Sequence, residues 1–136
     1  MEDKASYDIA KQNEELTGAV IGAAIEVHKY CGPGLLESAY QECLIDELKA
    51  RGFTVEAEVP MPFNYKGHLL SKAYVIDLLV EKKLIVELKS VERVLKVHKN
   101  QVKTYLRGSN LQIGLLINFN TELLTDDVHR IIITGA

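Results

Sequence analysis

The stretch Ile76-Asp77-Leu78-Leu79-Val80-Glu81-Lys82-Lys83-Leu84-Ile85-Val86-Glu87-Leu88-Lys89-Ser90 decides how the chain is read. Two apolar runs flank Glu81-Lys82-Lys83, the pattern of two strands joined by a charged turn. Pairing Val80 with Leu84 across that turn sets Asp77 opposite Glu87. Side chains alternate along a strand, so this register puts Asp77, Leu79, Ile85, Glu87 and Lys89 on one face. Ile76, Leu78, Val80, Leu84, Val86 and Leu88 take the other. Apolar residues on both faces mark central strands covered on both sides. Two carboxylates facing each other there repel, and each is costly to desolvate. Two readings relieve that cost. A divalent cation sits between Asp77 and Glu87, or Lys89 neutralises one acid in a salt-bridged cluster while water reaches the other.

Upstream, residues 1–12 are polar and are expected to be a flexible N-terminal segment. From about Asn13 to Tyr30, Leu16, Ala19, Val20, Ala23, Ala24 and Val27 recur at helical spacing, and Gly18 and Gly22 are expected to allow close packing. Cys31-Gly32-Pro33-Gly34 stops that helix. His28 near its end reads either as a favourable C-terminal cation or as a group approaching a site. A second helix is expected from Leu35 to near Ala50. Glu37, Tyr40, Leu44 and Leu48 form one stripe on it, so Glu37 either complements the helix dipole or points inward at the cation.

Val55, Ala57 and Val59 alternate with polar residues in a half-exposed strand expected to end at Pro60-Met61-Pro62, prolines that suit an edge. A turn at Lys66-Gly67-His68 leads into the strand carrying Asp77. After the hairpin, Val91 to Arg107 reads as a third helix, with Val94, His98, Gln101, Val102 and Tyr105 on one side. Lys96, Lys99, Lys103 and Arg107 line another. Leu111–Phe119 reads as a buried strand in which Gly114 allows close approach, Thr121–Asp127 as a loop, and Val128–Thr134 as a last strand. The order α-α-β-β-β-α-β-β predicts a single α/β domain over 1–136, a mixed sheet with helices on both faces.

The chain of 136 residues is long enough to bury roughly two-thirds of its unfolded surface. No apolar run approaches the ~20 residues of a membrane helix, and no signal peptide is visible at Met1-Glu2-Asp3-Lys4. Cys31 and Cys43 lack metal-site spacing and read as reduced thiols, so a cytoplasmic location is expected. A net charge of −3 does not by itself suggest a nucleic-acid binder. Its distribution does more: residues 81–107 hold eight basic residues against three acids, leaving the rest of the chain at −8. That concentration reads as a solvated helix face or as a holder of a polyanion beside the hairpin.

An acid on one strand, Glu-x-Lys on the next, then a helix and a strand resemble the PD-(D/E)XK nuclease superfamily. Asp77 and Glu87-Leu88-Lys89 match its core signature, with Ile76 where a Pro commonly stands. Gln101-Val102-Lys103-Thr104-Tyr105 resembles the Q-x-x-x-Y motif of the RecB-like exonuclease branch. Gly34-Leu35-Leu36-Glu37-Ser38-Ala39-Tyr40 looks like the G-x-x-E-x-x-Y signature of a small prokaryotic family within the superfamily. Together these cover roughly residues 14–134. The resemblance implies a restriction-endonuclease-like core and a Mg²⁺- or Mn²⁺-dependent nuclease acting on DNA rather than RNA through a metal-activated water. Asp77, Glu87 and the Leu88 carbonyl would ligate the metal, with Glu37 as an upstream acid. Lys89 would hold the nucleophilic water or stabilise the phosphorane, and Gln101 and Tyr105 would orient Lys89 or touch the phosphate. Lys96, Lys99, Lys103 and Arg107 would meet backbone phosphates. Activity is expected to need a homodimer or a protein partner. A non-catalytic nucleic-acid-binding or protein-interaction module on the same fold is the alternative.

Overall fold

Two strands, β3 (Leu84–Lys89) and β4 (Ile113–Asn118), run parallel through the middle of the fold, and of their residues only Lys89 is not fully buried. A parallel pair needs a crossover, which is supplied by α4 (Lys96–Ser109). The computed structural model describes residues 3–135, the side chains of 71–73 excepted. Before β3 come α1 (Lys4–Gln12), α2 (Glu14–Cys31), α3 (Glu37–Ala50), β1 (Val55–Tyr65) and β2 (His68–Val80). After β4 come a 3-10 turn (Leu124–Asp127) and β5 (Val128–Ile132). The described strands form one mixed sheet of order β1-β2-β3-β4-β5, antiparallel except at β3–β4.

Helices cover both faces, as the sequence predicts. On one, Val20, Ala23 and Val27 of α2 and Tyr40, Leu44 and Leu48 of α3 pack on Leu78, Val80, Leu84, Val86 and Leu88. On the other, Val102, Tyr105 and Leu106 of α4 pack on Ile85, Leu116 and Ile131. Gly114 is required there, because a Cβ at this position would lie 2.9 Å from Val102 Cγ1 and 3.2 Å from the Ile85 carbonyl oxygen.

Several expectations need correction. The described part of residues 1–12 is helical: Asp3 caps α1 by accepting the Ser6 N–H at 2.7 Å, and Ile9 is buried in the core. Gly18 and Gly22 do not mediate close packing, since a Cβ at Gly18 would meet nothing within 4 Å and one at Gly22 only an Arg51 side chain at 3.5 Å. β1 does not end at its prolines. It is the edge strand, the place in a sheet where prolines are tolerated, and it continues to Tyr65 past a register shift between Met61 and Phe63. α3 starts at Glu37 rather than Leu35, and α4 at Lys96 rather than Val91. The segment before α4 is held as a loop by Asn118, which accepts the Val91 N–H at 3.0 Å and donates to the Val91 carbonyl at 2.9 Å.

Candidate active site

The hairpin has the predicted register: Val80 pairs with Leu84, Leu79 with Ile85 and Leu78 with Val86. There the ladder stops. On its other side β2 pairs Leu78 with Ala57 and Ile76 with Val59, passing over Asp77 and the facing Glu58, whose φ is 51°. Asp77 therefore has no backbone pair on either side. Side chains take over: Asp77 N–H donates to Glu87 Oε1 at 2.8 Å, and Leu88 N–H donates to Asp77 Oδ2 at 2.9 Å. The two carboxylates thus stand in the gap where the strands part. This break also flips the alternation. Ile76 packs with the α4-side cluster, opposite to Leu78, and not on the face that strict alternation assigns it.

The electrostatics follow from this crowding. Burial, then the Asp77 charge, pushes the Glu87 carboxyl up to about 9. Asp77 is also raised by burial, although the Leu88 N–H and the Lys89 charge pull it back. Glu58, exposed on β1, adds a weaker raising charge. Lys89 is half-buried and close enough to favour the ionised form of both acids. Lys89 O accepts the Phe119 N–H at 2.9 Å, so its backbone groups face β4. Backbone groups alternate in direction along a strand, so those of Leu88 face the gap beside Asp77. Tyr105 of α4 is buried and its phenol is pushed up to about 12, by burial first and then by the charges of Glu87 and Asp77.

The remaining predicted residues are placed less centrally. Gln101 is half-buried one turn before Tyr105. Glu37 is exposed in the first turn of α3. Among the described residues, no group of three or more His, Cys, Asp or Glu is arranged to hold a metal, so Glu37 is not gathered with the pair. Tyr40 of the same motif acts on the loop: its hydroxyl donates to the Gly32 carbonyl and accepts the Leu35 N–H at 3.1 Å, while its ring stacks on Phe119 at 4.4 Å. Ser90 Oγ donates to the Leu35 carbonyl at 2.7 Å, tying the start of α3 to the end of β3. His28 Nε2 lies 3.1 Å from the Phe119 carbonyl and 2.8 Å from that of Thr121, so it anchors α2 to the chain after β4 and stays out of the site. On α4, Lys96 is the first residue, whereas Lys103 and Arg107 border a cavity at the other end of the helix.

Sequence reasoning missed two neighbours of the site, Tyr74 and Asn118. Tyr74 of β2 meets Tyr105 edge-on at 5.7 Å and Phe63 at 6.3 Å, an aromatic run leading away from the acids. Asn118, paired in register with Lys89, is fully buried and also donates to Asp127 at 2.8 Å. Asp127 in turn accepts from His129 Nε2 at 2.6 Å. A lone amide closing the apolar run Ile113–Asn118 was the available signal.

A family profile of the PD-(D/E)XK nuclease superfamily matches residues 14–131. The chain belongs to the PD-(D/E)XK nuclease superfamily. Comparison with curated proteins and with solved structures gave no match. Membership fits a restriction-endonuclease-like reading of the mixed sheet and points to nuclease activity on nucleic acid; PD-(D/E)XK nucleases generally use divalent metals. Among the described residues no helix is long and apolar enough to cross a membrane.

Proposed function

We propose that this PD-(D/E)XK chain is a Mg²⁺- or Mn²⁺-dependent phosphodiester hydrolase acting on nucleic acid, and on DNA, as its RecB-like Gln101–Tyr105 motif implies. The observation that carries the reading is the Asp77–Glu87 pair in the gap between β2 and β3, with Glu87 pushed up to about 9. A fold that crowds two acids so that they resist ionising together suits a cation that binds between them. The donors fit: two carboxylates and the Leu88 carbonyl are oxygen only and few, as suits Mg²⁺, which keeps several waters. Bound there, the ion supplies a water of lowered pKa and offsets charge on the phosphate.

The rest is work for this chain's own residues. Glu87 would hold the cation in its ionised form, and since its carboxyl is raised, metal affinity should rise with pH. Lys89 turns its ammonium to the nucleophilic water or to the charged phosphorane once the acids are neutralised. Tyr105, kept protonated by its surroundings, orients Lys89 by accepting from its ammonium or donates its O–H to phosphate, with Gln101 alongside. Glu37 serves as the upstream acid of a G-x-x-E-x-x-Y family member, on a helix start that Tyr40 and Ser90 hold against β3. Lys96 and Lys99 meet the backbone nearest the cleaved bond, and Lys103 and Arg107 continue the positive line away from it.

One observation favours a second reading, a binding or interaction module that does not cleave: Glu37 is exposed and is not gathered with the pair. Metal-dependent cleavage of a panel of single- and double-stranded DNA and RNA, by the chain alone and at concentrations favouring a dimer, separates the two. Products with 5′-phosphate and 3′-hydroxyl ends support the hydrolase. Binding without cleavage on every substrate supports the module.

A further inference from the structure

A cavity of about 870 Å³ opens at the end of β3 and β4 opposite to the acids. Neither Asp77 nor Glu87 lines it. Lys83 reaches it from the β2–β3 turn, Lys103 and Arg107 from the C-terminal half of α4, and Gln12 from the end of α1. Its wall includes Leu111 and Ile133, both half-buried. Three cations and no acid line this space in a chain whose net charge is −3. None of the three forms an ion pair among the described residues. Like charges facing one space repel, and an anion between them relieves that repulsion; the Glu81 carboxylate, which feels the Lys83 charge, is turned to Thr54 and does not line the cavity.

The turn that presents Lys83 is held firmly. Glu81 and Lys82 both adopt left-handed backbone, at φ 55° and 56°, a conformation that Asn or Gly takes more readily. What offsets the strain is the Glu81 carboxylate, which accepts the Thr54 N–H at 2.7 Å and the Thr54 hydroxyl at 2.6 Å. Glu81 is thereby drawn toward β1, while Lys83 stands on the cavity's border. Arg107 complements the dipole at the end of α4, but that does not account for Lys83, which comes from another element.

We propose that this cavity is a nucleotide site, separate from the carboxylate pair; it shares Lys103 and Arg107 with the phosphate line of the nuclease reading, but Lys83 belongs to it alone. Lys83, Lys103 and Arg107 hold the phosphate, the half-buried aliphatic wall at Leu111 and Ile133 takes the base, and the Gln12 amide is placed for a base edge. A nucleoside 5′-phosphate is common to a free nucleotide and to the phosphorylated end of a strand.

The test is calorimetric titration of the whole protein in chelator with AMP, with inorganic phosphate, and with a short oligonucleotide bearing a 5′-phosphate or a 5′-hydroxyl. The proposal predicts saturable AMP binding, tighter than inorganic phosphate. Lys83→Gln and Arg107→Gln, both exposed positions, should each weaken it by about tenfold, the size of one charge-assisted hydrogen bond. Glu87→Gln should bind AMP as wild type does. Competition by the 5′-phosphorylated oligonucleotide alone identifies a strand end as the natural occupant; its failure to compete identifies a free nucleotide. No AMP binding, phosphate binding as tight as AMP, or affinity unchanged in both cation variants overturns the proposal. So does AMP binding that is lost in Glu87→Gln, which would put the ligand at the acids.

Discussion

Replacing Asp77 in the metal-free protein separates its charge from its hydrogen bonds. Its Oδ2 accepts the Leu88 N–H at 2.9 Å, and its own N–H donates to Glu87 Oε1 at 2.8 Å. Asn keeps an oxygen for Leu88 and removes the charge beside Glu87; Ala removes both. Glu87 titrates near 9 in the fold against 4.5 when unperturbed. A group raised in this way contributes stability that is fully present below 4.5 and is lost as pH rises toward 9, at up to about 1.4 kcal/mol per pH unit. Asp77→Asn removes the Coulombic share of that rise and should stabilise the fold by about 1–2 kcal/mol at pH 8, and by much less near pH 5. Asp77→Ala leaves the Leu88 N–H without its acceptor, a cost of about 1–3 kcal/mol that cancels or outweighs the relief. Urea unfolding in chelator at both pH values should rank Asn above wild type, and wild type level with or above Ala. If Asn is destabilised as much as Ala at both pH values, Asp77 is a needed charge partner of Lys89, and the repulsion argument fails.

Three further outcomes are expected. Mn²⁺ at ~100 times its dissociation constant should stabilise wild type by roughly 2.7 kcal/mol and leave Asp77→Asn unmoved, as read by thermal melts with and without the ion. Lys96→Gln with Lys99→Gln should weaken nucleic-acid binding alike for all sequences and lower the log–log salt slope by roughly 0.7–0.9 for each phosphate no longer neutralised; an unchanged slope makes the stripe a solvated face. Gly114→Ala should destabilise by about 1–3 kcal/mol through overpacking of α4 on β4, measured by denaturant midpoint, because its Cβ would meet Val102 Cγ1 at 2.9 Å.

The central hairpin was legible because period-2 alternation and a short charged turn leave one register that buries the apolar residues. The facing of Asp77 and Glu87 followed from it. What alternation could not show is the flip at Ile76, since it arises from carboxylates displacing the ladder they sit in. α1 was missed because its one buried apolar residue, Ile9, gives no periodicity. Val91 and Val94 read as helical until Asn118, distant in sequence, takes both backbone groups of Val91. The cavity with Lys83, Lys103 and Arg107 joins segments far apart in the chain, so no local pattern announces it. The G-x-x-E-x-x-Y stretch was visible, but the work of its Tyr40 on the Gly32–Leu35 loop was not.

The most direct test of the proposed chemistry is single-turnover cleavage with Mg²⁺ or Mn²⁺ by wild type, Lys89→Ala and Glu87→Ala, with metal binding followed in parallel. Lys89→Ala should keep the metal and lose cleavage by orders of magnitude, each tenfold being about 1.4 kcal/mol of transition-state stabilisation. Glu87→Ala should lose both metal and cleavage. Cleavage by wild type that persists undiminished in Lys89→Ala and Glu87→Ala would contradict the account and place the activity elsewhere.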